Sequence, residues 1–354
     1  MYKRMLLAFL ATGALLSIAL SSHAQSILNL PRPSQHALVT QRIGITDISV
    51  NYSRPLVSKR QIWGKLVPYG QVWRAGANEN TTIEFTDPVS IEGKPLAKGI
   101  YGLHMIPNQN EWTVIFSRAA SSWGSFSYKQ DEDALRVTVK PETGEFHEAL
   151  TYDFDDVKPD STLVTLRWEK MAVPFRVAVP VHDIVQADLK SQLRTGSQYI
   201  WESWDEAATY LLAEKVNLSQ ALDYSTHSIQ LESRFDNLLT KSQILDAMGK
   251  TDEARLARAK ALDNANAIQL HSYARQLQFQ GKQDEAMELF RQNVKKYPNE
   301  WISHNDAARL AVAKGDYDGA LKEMKLAAAD APEIYKSAFD GLVKRLEAKE
   351  DINK

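Results

Sequence analysis

From Leu38 to Val179 apolar residues recur at every second position, and after about Val181 they recur at nearer every fourth. A period of two puts alternate side chains on one face of a strand, whereas a period near 3.6 puts them on one stripe of a helix. Ile48, Val50 and Tyr52 alternate with Asp47, Ser49 and Asn51, and Leu135, Val137 and Val139 with Arg136 and Thr138. The beat returns at Trp112, Val114, Phe116, at Leu150, Tyr152, Phe154, at Val164, Leu166, Trp168 and at Val173, Phe175, Val177. Between these runs stand turn formers such as Glu92-Gly93-Lys94-Pro95 and Pro107-Asn108-Gln109-Asn110. Eight or more short strands so punctuated predict an antiparallel β-sandwich or jelly-roll-like domain over residues 25–182, its strand order left open. The pattern predicts an all-α domain for residues 183–354, so the chain reads as multidomain, all-β plus all-α.

Within the helical half, LDAMGKTDEAR, FQGKQDEAM and VAKGDYDGAL align with Ala254, Ala286 and Ala320 in register, 32 and 34 residues apart, and Ala221 lies 33 residues earlier. That spacing resembles the tetratricopeptide repeat. Gly249, Gly281 and Gly315 match the turn between paired helices, Ala274 and Ala308 the close crossing, Phe290 the second-helix packing position, and Pro298 and Pro332 the repeat ends. In the first unit Val216 stands for the turn glycine, and Pro332 to about Lys349 reads as a capping helix. The resemblance implies an α-solenoid in which the first helix of each pair lines a binding wall. The wall positions fall on Asp236, Leu239, Gln243 and Asp246, then Ile268, His271, Arg275 and Gln278, then Ile302, Asn305, Arg309 and Val312. His271, Arg275, Asn305 and Arg309 are the candidate peptide-groove residues, because two guanidinium forks on one wall suit a carboxylate. Against this stands the reading in which they are solvated helix residues forming weak surface pairs.

In the strand-rich half the stretch VPYGQVWRAGANENTTIEF, Val67 to Phe85, admits two readings. Its Gly and Asn residues tolerate the tight turns of a connection between strands, with Trp63, Tyr69 and Trp73 filling the sandwich edge. Alternatively Trp73, Arg74, Asn78 and Glu79, with His104, offer a flat apolar face, a planar donor fork and mixed polar groups to a saccharide or carboxylated ligand. His104 and Tyr101 share the run Ile100 to Ile106 on opposite faces, so one of them at most joins such a site. Gly64, Gly70 and Gly76, six apart, do not have the spacing of a phosphate loop. No GxSxG elbow, HExxH or i, i+4 histidine pair is present, and no catalytic residue is assigned. A glycosidase would need a second carboxyl group facing Glu79, and none is identified. Asp153, Asp155 and Asp156 are considered for calcium, but alternation puts Asp153 and Asp155 on the solvent face of a strand and EF-hand spacing is absent. No metal or cofactor is expected.

The segments TQRIGITDISVNYSRP, IWGKLVPYGQVWRAGANENTTIEF, GKPLAKGIYGLHMIP, EWTVIFS and TLRWEKMAVPF resemble an exported bacterial family, domain of unknown function 2911, from about Pro31 to Val179. The resemblance implies a secreted all-β domain, often followed by helical repeats, and supplies no catalytic residues.

Composition adds the compartment. Lys3 and Arg4, an apolar run from Met5 to Leu20, and Ser22-His23-Ala24 read as a signal peptide over residues 1–24, cleaved near Ala24. The mature chain is then expected in the periplasm or secreted. With no cysteine, disulfides and thiolate metal sites are excluded. The net charge of −2, or about −4 without Lys3 and Arg4, has no block of one sign, which argues against nucleic acid as partner. No later apolar run is long enough for membrane insertion. The expected function is an exported interaction or scaffold protein with a protein or peptide partner in the cell envelope. The alternative is a saccharide-binding or small-ligand-binding, even hydrolytic, β-domain with accessory helices.

Overall fold

A computed structural model describes residues 31–354. The expected signal peptide, residues 1–24, lies outside the described residues. The chain divides into two compact units between Ile184 and Val185.

The first unit is an antiparallel sandwich. Six strands, β1 (Gln35–Ile43), β2 (Thr46–Arg54), β3 (Thr82–Phe85), β6 (Gly99–Ile106), β7 (Trp112–Ser117) and β8 (Asp133–Val139), form one sheet in the order β1-β2-β3-β6-β7-β8. Four others, β4 (Val89–Ile91), β5 (Lys94–Leu96), β9 (Glu142–Asp155) and β10 (Ser161–Ala178), form the second in the order β5-β4-β10-β9. The alternating residues meet between the sheets: Phe116 packs edge-on against Phe175 at 5.7 Å, and Tyr52 against Tyr152 at 4.9 Å. Four tryptophans close one end of this core. Trp63 lies 5.0 Å from Trp112, 5.8 Å from Trp168 and 5.9 Å from Trp73, and Trp73 stacks on Trp168 at 6.0 Å.

The two runs ending at Trp168 and Val177 are one strand. Their apolar positions change from even to odd, which a regular strand cannot do without turning its core face outward. The structure resolves this with register shifts around Glu169, whose φ is 56°, opposite β9. A bulge restores the inward phase so that Val173, Phe175 and Val177 are again fully buried.

The second unit is built from helix pairs. After α1 (Val181–Gln192) come α2 (Trp201–Ala213) with α3 (Leu218–Leu231), α4 (Phe235–Ala247) with α5 (Thr251–Asn264), α6 (Ala267–Phe279) with α7 (Gln283–Lys296), and α8 (Trp301–Val312) with α9 (Tyr317–Asp330). The closing helix is α10 (Glu333–Glu347). Successive first helices begin 34, 32 and 34 residues apart. Ala221, Ala254, Ala286 and Ala320 are all fully buried, because a methyl group lets the paired helices approach closely. Gly249, Gly281 and Gly315 take φ values of 76°, 79° and 78° just after their helices. In the first pair that place belongs to Lys215, at φ 55°, and not to Val216; Asn217, at φ 45°, adds one residue to the turn. The aligned alanine therefore falls one residue out of step, which hid the turn position in the sequence.

Candidate functional site

The connection from β2 to β3 carries the stretch Val67 to Phe85, and it runs beside β6 as an irregular extra strand. Trp73 and Met105 exchange both main-chain hydrogen bonds at 2.8 Å, the Gly70 amide donates to Pro107 O, and Leu103 donates to Thr81 O. Between these anchors the chain turns back through Ala75 at φ 51° and Asn78 at φ 60°. The turn is drawn inward by the Tyr152 hydroxyl, which donates to Ala75 O at 2.9 Å. A Cβ at Gly76 would stand 2.4 Å from Thr81 Oγ1, so the fold needs glycine there.

This geometry separates the expected ligand residues. Trp73 faces the sandwich core against Trp168, and its indole N–H donates to Gly76 O at 3.2 Å. It is corrected here from a ligand platform to a packing residue, because strand alternation next to Met105 turns it inward. Arg74, Asn78, Glu79 and His104 lie on the opposite side, where the segment from Arg118 to Glu132 covers the outer face of the six-stranded sheet. Arg74 is not a free fork: Nη1 donates to Asn78 O at 2.8 Å, and the guanidinium sits over the Phe126 ring at 5.9 Å. Asn78 donates to Ser34 O at 3.1 Å. Glu79 pairs with Arg32, which holds its carboxyl below the usual range.

His104 is only 2 % exposed, beneath that covering segment. Its Nδ1 lies 3.0 Å from Ser125 Oγ, and its ring lies 5.4 Å from that of Tyr128. The nearby Asp133 carboxylate is bonded to Tyr128 and Arg136 instead of to the imidazole, so no orienting acid completes a Ser-His pair. Burial pushes the His104 pKa down to about 4, against a weaker opposing pull from Asp133. Between about pH 6.5 and 4 the unfolded chain takes up a proton that the folded site refuses. Stability from this group is therefore complete above pH 6.5 and is lost as pH falls toward 4, by about 3 kcal/mol from the size of the shift. Urea unfolding at pH 7.5 and pH 4.5 is expected to show a smaller loss for His104→Gln than for the unaltered protein; equal losses would remove this assignment.

What opens to solvent is a pair of adjoining cavities beside Glu79. One, of about 360 Å³, is lined by His36, Asn51, Asn80, Thr82 and the segment Ala120 to Trp123; the other, of about 410 Å³, lies toward Arg32, Ser34 and Asn78. His36 Nε2 and Asn51 Oδ1 are 2.6 Å apart, Asn80 has a buried Oδ1 without a partner, and Trp123 is 54 % exposed with Arg32 over its ring. An exposed indole beside amide and imidazole groups offers a polyol both stacking and hydrogen bonding. Glu79 is the one carboxylate among the described lining residues, which leaves two-carboxylate chemistry without its second member. Trp123, His36 and Asn80 were missed in the sequence. The run Ser121-Ser122-Trp123-Gly124, a large aromatic within small polar residues, was the available signal.

Among the described residues no group of three or more His, Asp or Glu is placed to hold a metal ion. Asp153 and Asp155 bond Arg167 at 3.0 and 2.7 Å, and Asp156 pairs with Lys158 and Arg176. Nor is any helix among them long and apolar enough to cross a membrane.

In the helical unit, the four expected groove residues come together on the face of α6 and α8, but they do not form an open wall. His271 Nδ1 meets Asp306, whose other oxygen accepts from Asn293 Nδ2 at 2.6 Å. Asn305 and Arg309 are 4 % and 5 % exposed, and Ile302 and Val312 are buried with them. The expectation of solvent-facing positions on α8 is corrected: helices on either side and the segment after α10 enclose it. Arg309 Nη1 donates to Ile352 O at 2.6 Å, Asn353 Nδ2 donates to Arg309 O at 3.0 Å, and Gln278 reaches Asn353 Oδ1 at 3.4 Å. Burial, joined by repulsion from Arg275, lowers the Arg309 pKa to about 9. Arg275 stays half-buried, bonded to Gln278 and lying over the Phe279 ring at 4.9 Å. On α4 and α6, Asp236 and Ile268 remain exposed, and Leu239 and Gln243 are half-buried.

Residues 34–177 match the model of a family described as "Protein of unknown function (DUF2911)". No curated protein matches the chain. Among solved structures, the chain is similar to one in the crystal structure of the APC/C hetero-tetramer Cut9-Hcn1, at 15% identity over 46% of this chain and 32% of that one, with a TM-score of 0.30. It thus spans about a third of that protein's length. It is also similar to YrrB, a TPR protein with an unusual peptide-binding site, at 14% identity over 47% of this chain and 86% of that one, with a TM-score of 0.27. Residues 34–177, which form the ten-stranded sandwich, thus match the DUF2911 model, and the helices that follow are paired at tetratricopeptide-like spacing.

Proposed function

We propose that this is an exported interaction protein whose repeat array holds a segment of another envelope protein, with the β-sandwich as its companion domain. The observation that carries this reading is the face of α6 and α8. There, Arg309 of α8 holds the main-chain carbonyl of Ile352 in a non-helical turn of chain, while the Asn353 side chain is held between Gln278 of α6 and the Arg309 carbonyl, the mix of main-chain and side-chain contacts by which a repeat wall can bind peptide. The exposed Ile268 and Asp236, with the half-buried Leu239 and Gln243, continue that face toward the earlier repeats and leave room for a longer segment. The signal-like residues 1–24 support export.

Site-specific photo-crosslinking in cells tests this. A crosslinker at Ile268, on a first helix, is expected to give an adduct recovered from the envelope, on a protein whose first residue is Gln25. One at Leu256, 69 % exposed on a second helix, is expected to give none. Adducts from Phe126 of the β-sandwich alone would overturn the assignment of binding to the repeats.

A further inference from the structure

The segment Glu350 to Lys354 has no helix or strand of its own, yet Ile352 is only 1 % exposed and packs in a cluster with Phe339 and Leu346. Three arginines surround it. Arg309 holds Ile352 O, Arg345 Nη2 donates to Asp351 O at 2.8 Å while its Nε reaches Glu350 at 3.2 Å, and Arg275 lies close enough to repel Arg309. The nearby Asp306 carboxylate is already committed to His271 and Asn293. Arg309 Nε, buried, has no hydrogen-bond partner. A donor left unpaired inside a cationic site is an unmet preference for an acceptor, worth more when that acceptor is charged.

The segment therefore fills the site without satisfying it. Asp351 turns its carboxylate back to accept from the Asn353 amide at 2.9 Å, and the carboxylate lies 3.9 Å from Lys354 Nζ. Its charge therefore reaches Arg309 only through space, while the guanidinium hydrogen bond that Asp351 accepts goes to its main-chain carbonyl. A tethered ligand of this length acts at a millimolar effective concentration, so weak contacts are enough to hold it and a better ligand displaces it.

We propose that Asp351–Asn353 is a built-in stand-in for the partner of the α6/α8 face, and that the partner carries an acidic-aliphatic-asparagine segment that adopts the same turn and competes with it for this site. The aliphatic residue takes the place of Ile352, the asparagine bridges Gln278 and Arg309 O, and the acidic group reaches the arginine cluster. This deepens the interaction reading above and rests on it.

The test uses a fluorescein-labelled peptide, Lys-Glu-Asp-Ile-Asn-Lys, and the full mature chain. Releasing the segment with Ile352→Ser and Asn353→Ala is expected to tighten peptide binding at least tenfold over the unaltered chain, and adding Arg309→Lys is expected to abolish the gain. Equal binding by the released and unaltered proteins, or none by a released protein of unchanged helicity, overturns the proposal. Should the released protein lose helicity, hydrogen exchange on the unaltered chain decides. Saturating unlabelled peptide is expected to speed exchange in residues 350–354 while α10 keeps its protection, and no change overturns the proposal. A partner that crosslinks at Ile268 and is not displaced by the peptide would leave the interaction reading standing and this inference fallen. Peptide competition without any crosslinked partner would give the reverse.

Discussion

Trp168→Ala is expected to destabilise the β-sandwich by about 3–5 kcal/mol, the range for truncating a large buried aromatic. Trp168 is 1 % exposed and joins the two sheets at the tryptophan cluster, where it meets Trp63 edge-on and Trp73 face-on. Truncation leaves a cavity beside Trp63 and Trp73, so the lost burial adds to the cost of that cavity. Trp168→Phe should cost much less, about 1–2 kcal/mol, because the indole N–H has no partner and its removal relieves a desolvated donor. Urea titrations of the three proteins at pH 7 measure this, and equal midpoints for the alanine variant and the unaltered protein would show that the cluster does not hold the sheets. The alanine variant also withdraws the surface on which Trp73 stacks. The Arg74 to Glu79 turn then loses its anchor and the cavity beside Glu79 its shape.

Asp306→Ala is expected to lower the stability of the helical unit by a similar amount, about 3–5 kcal/mol, through a different cause. The carboxylate is wholly buried between α6, α7 and α8, with one oxygen on His271 and the other on Asn293. Removing it strands the His271 imidazole and leaves the Asn293 amide with only its bond to Ala267 O, in a low-dielectric interior where unpaired polar groups are costly. Replacing the pair together, His271→Leu with Asp306→Leu, should recover much of the loss, since similar-sized apolar groups need no partner. Helicity followed through urea unfolding reads both variants. A double variant no better than Asp306→Ala would mean that the network contributes net stability beyond mutual satisfaction.

These two sites also mark where sequence pattern stops being informative. Periodicity sufficed for the strand-rich and helical halves, because a period of two or of nearly four is a local consequence of having one buried face. The repeat spacing was legible for the same reason: each helix pair must present a small residue, such as Ala254 or Ala286, where it crosses its mate. The strand from Ser161 to Ala178 showed its bulge as a change of phase, although the phase alone did not say that the two runs were continuous.

The chemistry was decided by tertiary structure. Trp73 and Arg74 are neighbours in sequence, yet one enters the core and the other the outer face, and only the pairing with Met105 sets which. Arg309 is a solvated fork by its place on a repeat helix, but α10 and the segment Glu350 to Lys354 return to bury it. That return is a long-range contact, between residues 43 positions apart, and it leaves no trace in local hydrophobic spacing. The alternation of side chains, the capping glycines and the repeat period belong to the sequence by itself, since each follows from one segment's own backbone and its need to hide apolar surface. Which polar groups are buried, which face solvent beside Trp123 and which are covered by another part of the chain depend on what packs over them, and only the folded whole determines that.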